Sequence, residues 1–278
     1  MTAFPAGTIL GYPRIGRRRE LKKAVEAFWA GRIDEAQLEQ TAAELRAATR
    51  DRLAELGLGH EDSAIPESFS YYDQVLDAAV TVGAIPARFE DLRSADGTIG
   101  LSAYFTIARG EGDRAPLEMT KWFDSNYHYL VPEIGPATQF SLSSDRLVRE
   151  VAEAAEAGLR TRPVVVGPVT LLALAKAADG APEGFDPLSR LDDVLPVYVE
   201  LLSRLRAAGA DWVQLDEPAL VSESLPTSAA ELADAARRAL AVLGGATDRP
   251  SIFVSAPYAS LDAVFPVLAA APIEAIRS

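Results

Sequence analysis

Short β-branched or aromatic runs alternate with longer stretches of helical periodicity along this chain of 278 residues. TILGYP (8–13), AIPESFS (64–70), YHYLVPE (127–133), PVVVGP (163–168), DWVQLDEP (211–218) and SIFVSAP (251–257) each precede a helical pattern or a loop into one. That alternation predicts an α/β fold around a parallel sheet. Five of the six runs are closed by a proline, at Pro13, Pro132, Pro168, Pro218 and Pro257. Proline cannot donate to a ladder, so these residues mark where pairing ends and are expected along one rim of the sheet.

The helical segments carry their own punctuation. Ser70 with Asp73 in SYYDQVLDAAV reads as a capping pair, and Leu76, Ala79, Val80 and Gly83 continue a stripe toward a core. Segments 141–158 and 191–209 both end in glycine, the residue best suited to a left-handed cap. Between residues 86 and 118 the pattern lapses into ADGTIG and ARGEGDRAP, which predicts a hairpin or loop excursion inserted between units.

Six βα units with such an insertion fit a (β/α)8 barrel better than a doubly wound sheet, and no G-x-G-x-x-G follows the first strand. IEAIRS at 273–278 reads as the opening of a seventh strand. A closed eight-stranded barrel needs about two more units, so the expectation is one domain over 1–278, an incomplete barrel truncated near strand 7.

The net charge of -13 disfavours nucleic acid as partner, because a phosphate backbone is bound by a broad basic footprint. There is no cysteine, and His60 and His128 are the two histidines, a poor donor set for a metal. The longest apolar run, 163–175, is too short and broken to span a bilayer, and residues 1–10 lack the pattern of a secretory leader. A cytoplasmic protein without a membrane partner is expected.

Against that acidic background GYPRIGRRRELKKA (11–24) gathers Arg14, Arg17, Arg18, Arg19, Lys22 and Lys23 around a single acid, Glu20. Leu21, Val25, Phe28 and Trp29 make one apolar helix face from about residue 17 onward. Cations in a first helical turn oppose the macrodipole, at a cost of roughly 0.3–1 kcal/mol each. Arg18/Lys22 and Arg19/Lys23 add like-charge repulsion. A bound carboxylate or phosphate would reverse the sign; a basic face answered by acids elsewhere is the plainer alternative.

Two further constellations follow. In EMTKWFDSNYHYLVPE (118–133), Lys121 sits among Trp122, Phe123, Tyr127 and Tyr129, so that it either flanks a flat anionic ligand or lies over a core strand entry. In WVQLDEPAL (212–220), Asp216 and Glu217 end a strand and raise a hydrolase reading with Glu133 as the distant carboxylate. Adjacent strand residues point to opposite faces, which weighs against that pair.

GYPRIGRRRELKKAVEAFWAG (11–31), MTKWFDSNYHYLVPE (119–133), VVVGPVTLL (164–172) and WVQLDEPAL (212–220), in this order, resemble the N-terminal half of the cobalamin-independent methionine synthases. The resemblance implies a duplicated pair of (β/α)8 barrels, of which this chain is most of the first. It implies methyl transfer from 5-methyltetrahydropteroyltri-L-glutamate to L-homocysteine, with zinc in a C-terminal catalytic barrel holding the thiolate. The family's residues for the folate polyglutamate tail transfer to Arg19, Glu20, Leu21, Lys22 and Lys121, with Arg17, Arg18 and Lys23 auxiliary. No catalytic residue and no zinc ligand transfers, so the chain by itself is expected to be inactive. A non-catalytic anion- or folate-binding barrel is the second reading, and the hydrolase the third.

Overall fold

Parallel pairing organises this computed structural model, which describes residues 3–278. The strands are β1 (Pro66–Glu67), β2 (Met119–Lys121), β3 (His128–Leu130), β4 (Glu133–Ile134), β5 (Arg162–Val166), β6 (Lys176–Ala177), β7 (Trp212–Asp216), β8 (Ser251–Ser255) and β9 (Ala275–Arg277). Among the described residues, β1-β5-β7-β8-β9 form one all-parallel sheet, open and not a ring, while β4 and β6 make a short parallel pair. Val166, Asp216, Ser255 and Arg277 lie in register across β5, β7, β8 and β9. Residues 273–278 do supply a further strand, as their pattern predicts.

The helices are α1 (Glu20–Trp29), α2 (Glu35–Glu55), α3 (Gln74–Thr81), α4 (Leu101–Arg109), α5 (Arg146–Glu156), α6 (Pro168–Ala173), α7 (Leu191–Ala207), α8 (Ala229–Gly245) and α9 (Phe265–Ala270). One apolar cluster lies between the sheet and α5–α9, with Val165, Tyr198, Leu215 and Val254 at its centre. A second joins α1, α2, α3 and α4 through Leu21, Leu38, Leu76 and Phe105. Pro168 opens α6 and Pro218 opens a 3-10 turn directly after β5 and β7, where a missing amide costs nothing. Gly158 and Gly209, just past α5 and α7, have φ of 78° and 108°, the left-handed region expected of them.

Four local expectations are corrected. TILGYP forms no strand: the Oγ1 of Thr8 donates to Ala64 O and the Tyr12 amide to Ser68 Oγ, so the segment runs beside β1 on side-chain bonds. Arg162 and Gln214 donate to the carbonyls of Ile9 and Leu10, which removes the need for a ladder. The 86–118 excursion is not a hairpin but a 3-10 turn (Ala87–Leu92) followed by α4, whose Tyr104, Phe105, Ile107 and Ala108 are buried. Glycine and charge at both ends of α4 mask that stripe in the sequence. The hairpin comes next, β2 against β3, so YHYLVPE is split between it and β4. Finally, Asp73 itself caps α3, accepting from the amides of Val75 (2.8 Å) and Leu76 (2.9 Å), while the Ser70 hydroxyl is buried without a partner. A carboxylate is the stronger acceptor and takes the cap.

Candidate functional site

The basic segment turns sharply before α1 begins. Gly16 has φ 81°, and Arg19, the residue before the helix, has φ 61° and ψ 40°, a left-handed conformation unusual for arginine. The turn is held by Arg19 N–H to Gly16 O (3.2 Å) and Leu21 N–H to Ile15 O (3.3 Å). Glu20 folds back so that its carboxylate accepts the Arg18 amide at 2.9 Å, over the face of Gly16 where a Cβ would collide with it. Its own amide and that of Arg18 hold the Glu20 carboxyl below the usual carboxylate range, with Lys23 and Arg18 adding to the effect. Glu20 is thus a bracket for the turn.

Leu21 is buried in the second core cluster, which fixes the rotation of α1. Lys22 pairs with Glu26 at 3.6 Å, both about half exposed, a contact of little net strength. Arg17, Arg18, Arg19 and Lys23 are exposed, and among the described residues none of their side chains forms an ion pair. Glu20 acts on the side chains of Lys23 and Arg18 only through space.

Lys121 ends β2, exposed, opposite His128 in the antiparallel ladder. It too forms no ion pair among the described residues. Trp122 beside it is 5% exposed and faces inward, packing edge-on against Phe123 and Tyr129. Its indole Nε1 donates to the hydroxyl of Tyr258, in the loop after β8, at 2.9 Å.

These contacts place both cationic groups at one end of the fold. Tyr12 is level with Ser68, just past β1, so Arg14 to Lys23 emerge at the carboxyl end of the parallel strands. Tyr258 follows the carboxyl end of β8 and carries the Trp122–Lys121 hairpin to that same end. No contact joins Lys121 to Lys22 directly. Parallel α/β sheets place ligands beyond the carboxyl ends of their strands.

The carboxylates of the hydrolase reading are engaged elsewhere. Glu133 is buried and paired with Arg88 and, at 3.6 Å, with Lys176. Glu217 accepts from the amides of Val169 (3.1 Å) and Thr170 (2.7 Å) at the start of α6, lying against Gly167, where any side chain would clash. Burial pushes Glu217 up to about 7 against those bonds. Asp216 accepts from Gln214 Nε2 at 2.7 Å, and burial raises it likewise to about 7. Neither Glu133 nor Glu217 is free to flank a scissile bond.

Among the described residues no group of three or more His, Cys, Asp or Glu side chains is placed to hold a metal. With no cysteine, and with His60 and His128 both exposed, the donors here do not fit a zinc–thiolate centre. Among the same residues no helix is long and apolar enough to cross a membrane. Tyr258 is silent in the sequence, because a tyrosine after Pro257 carries no periodicity; its significance lies in contacts 136 residues away.

Comparison with known proteins bears on the family and the fold. The chain is 57% identical over 275 residues to a Streptomyces avermitilis protein named 5-methyltetrahydropteroyltriglutamate--homocysteine methyltransferase, covering 99% of this chain and 34% of that protein. A Mycobacterium tuberculosis protein of the same name is 50% identical over 269 residues, covering 97% and 34%. The chain therefore spans about a third of the length of these curated relatives. Two solved structures share the fold at low identity. A putative vitamin-B12 independent methionine synthase from Listeria monocytogenes has a TM-score of 0.53 at 14% identity, over 92% of this chain and 64% of that one. A methyltransferase from Methanosarcina mazei gives 0.55 at 13%, over 99% and 71%. The sequence model described as "Cobalamin-independent synthase, N-terminal domain" matches residues 6–277, and the chain belongs to that family.

Proposed function

We propose that this chain is the N-terminal barrel domain of an enzyme that moves a methyl group from 5-methyltetrahydropteroyltri-L-glutamate to L-homocysteine, and that it binds the substrate's glutamate tail. Lys22 and Lys121 take tail carboxylates, with Arg19 beside them, while Glu20 and Leu21 fix the turn and rotation that present the cations. Arg17, Arg18 and Lys23 add field. The open parallel sheet is part of a (β/α)8 barrel. A C-terminal catalytic barrel is the partner, and it supplies the zinc and holds homocysteine, for which this chain has no donor set. The 278 residues alone turn over no substrate.

The observation that carries this reading is the row of cations at the carboxyl end of the sheet, of which only Lys22 forms a side-chain ion pair, a half-exposed one with Glu26, while Arg17, Arg18, Arg19, Lys23 and Lys121 form none among the described residues. Charge-assisted bonds to carboxylates are about twice as strong as neutral ones. Several like charges crowded at a strained turn are tolerated where a multiply negative ligand offsets their repulsion.

Calorimetry on the chain joined to its catalytic part tests it. The triglutamyl substrate is expected to bind about tenfold or more tightly than the monoglutamyl form. Lys22→Ala and Lys121→Ala should each erase most of that difference and leave monoglutamyl affinity unchanged. Equal affinity for the two forms in the unaltered protein would refute the assignment.

A further inference from the structure

The hairpin that carries Lys121 is a short ladder of three residue pairs with an irregular tip, and such a ribbon has little rigidity of its own. Its second strand is tied down by the Leu130 amide on Asp73 Oδ2 at 3.2 Å and the Tyr129 hydroxyl on Leu174 O at 3.4 Å, and the end of the first strand, beside Lys121, is held by Tyr258. Phe123 and Tyr258 stack nearly parallel, with ring centroids 5.7 Å apart and 19° between planes. The Tyr258 hydroxyl accepts the Trp122 indole N–H at 2.9 Å. Both Phe123 (φ 43°) and Tyr258 (φ 91°) hold positive φ, a costly conformation for aromatic residues. Two strained residues that meet each other are maintained by the contact between them.

Local bonds complete the clamp. The Trp122 amide donates to Tyr127 O at 2.8 Å, and the Ser125 hydroxyl donates to Trp122 O at 2.6 Å. Lys121 is the last residue of β2, which is exposed throughout, and it directly precedes the buried Trp122. Tyr258 itself is 52% exposed, too open for a residue whose purpose is to fill a core.

We propose that Tyr258 is a positioning residue: by holding Trp122 and Phe123 it fixes the hairpin so that Lys121 meets the substrate's glutamate tail. This rests on the tail-binding reading above. Tyr258 acts through Lys121, and the loop after β8 is thereby coupled to tail recognition. A side chain that only props up the fold would weaken every ligand alike, whereas a positioning residue affects the tail alone.

The test uses the chain joined to its catalytic part, with triglutamyl and monoglutamyl 5-methyltetrahydrofolate in calorimetry. Tyr258→Ala is expected to weaken the triglutamyl ligand about as much as Lys121→Ala, by roughly tenfold, and to leave the monoglutamyl ligand within about twofold. The double variant should be no weaker than either single one, because both remove the same interaction. Tyr258→Phe keeps the stack and should stay within about threefold of the unaltered protein. Four results would overturn the inference: Tyr258→Ala without effect while Lys121→Ala weakens binding, equal weakening of both ligands, multiplying losses in the double variant, or a Tyr258→Phe variant as weak as Tyr258→Ala. If Lys121→Ala changes nothing, the tail-binding reading fails first and the role of Tyr258 falls with it.

Discussion

Replacing Arg50 by methionine is expected to cost about 3–5 kcal/mol of stability, measured as a fall in urea midpoint at unchanged slope. Arg50 lies on α2, 3% exposed, and its guanidinium is fully engaged. Nε and Nη2 donate to Glu67 Oε2 at 2.9 and 2.7 Å, Nη2 also to Glu150 O at 2.9 Å, and Nη1 to Glu153 Oε1 at 2.6 Å. One side chain therefore ties α2 to β1 and to α5. Arg146 extends the network to Asp77 (3.1 Å) and Glu150 (2.9 Å). The net worth of such a buried set against a well-packed apolar alternative is small, because desolvating the ions costs nearly what their attraction returns. Breaking it from one side is different, since methionine keeps the volume but leaves Glu67 buried without its cation. Adding Glu67→Gln to Arg50→Met should recover part of the loss. A fall below about 1 kcal/mol in the single variant would mean that water solvates the pair.

The second large effect is expected at Arg162, which stands in for a strand ladder. It is fully buried at the start of β5, and burial lowers it to about 10, with Asp216 the opposing influence. It donates to Thr8 Oγ1 and Ser63 O, both at 2.8 Å, to Ile9 O at 2.7 Å and to Gln214 Oε1 at 3.2 Å. Arg162→Met leaves Ser63 O, Gln214 Oε1 and Thr8 Oγ1 without that donor, at roughly 1–3 kcal/mol apiece before relaxation, while Ile9 O keeps the bond from Thr8 Oγ1 at 3.2 Å, so a loss of about 3 kcal/mol or more is expected. The loss should be local as well as global. Hydrogen exchange at the Tyr12 amide, bonded to Ser68 Oγ at 3.2 Å, should quicken more than exchange in β7. Because 8–13 leads directly into the basic turn, the variant should also weaken tail binding. Unchanged protection at Tyr12 would show that the segment is held by something else.

These two arginines also mark the boundary of what pattern reading reaches. The runs in β5, β7 and β8 are legible because sheet strands buried on both faces read as β-branched stretches with a breaker at each end. The stripe of α1 and the glycine caps of α5 and α7 are legible for similar local reasons. TILGYP looks like any other strand, and only side chains 153 and 204 residues away reveal that its carbonyls are satisfied differently. Arg46 and Arg50 fall on the same i, i+4 stripe as Leu38 and Ala42 in α2, a signal that the buried face of this helix is partly charged. The acids that pair with them come from β1 and α5, and pattern alone does not name them. At the site, the basic cluster and Lys121 stand out in the sequence because they oppose its acidic balance. Their common position at the carboxyl end of the sheet is a product of the topology. Tyr258 gives no sign until the hairpin is folded against it.

The role of Lys22 and Lys121 is decided by where the substrate's acidic tail lies. A crystal structure of the chain joined to its catalytic part, bound to 5-methyltetrahydropteroyltri-L-glutamate, measures this directly. The expected result has tail carboxylate oxygens about 3 Å from the ammonium groups of Lys22 and Lys121, with the turn at Gly16–Arg19 unchanged. A tail ordered elsewhere, or trailing into solvent away from both lysines, would contradict it.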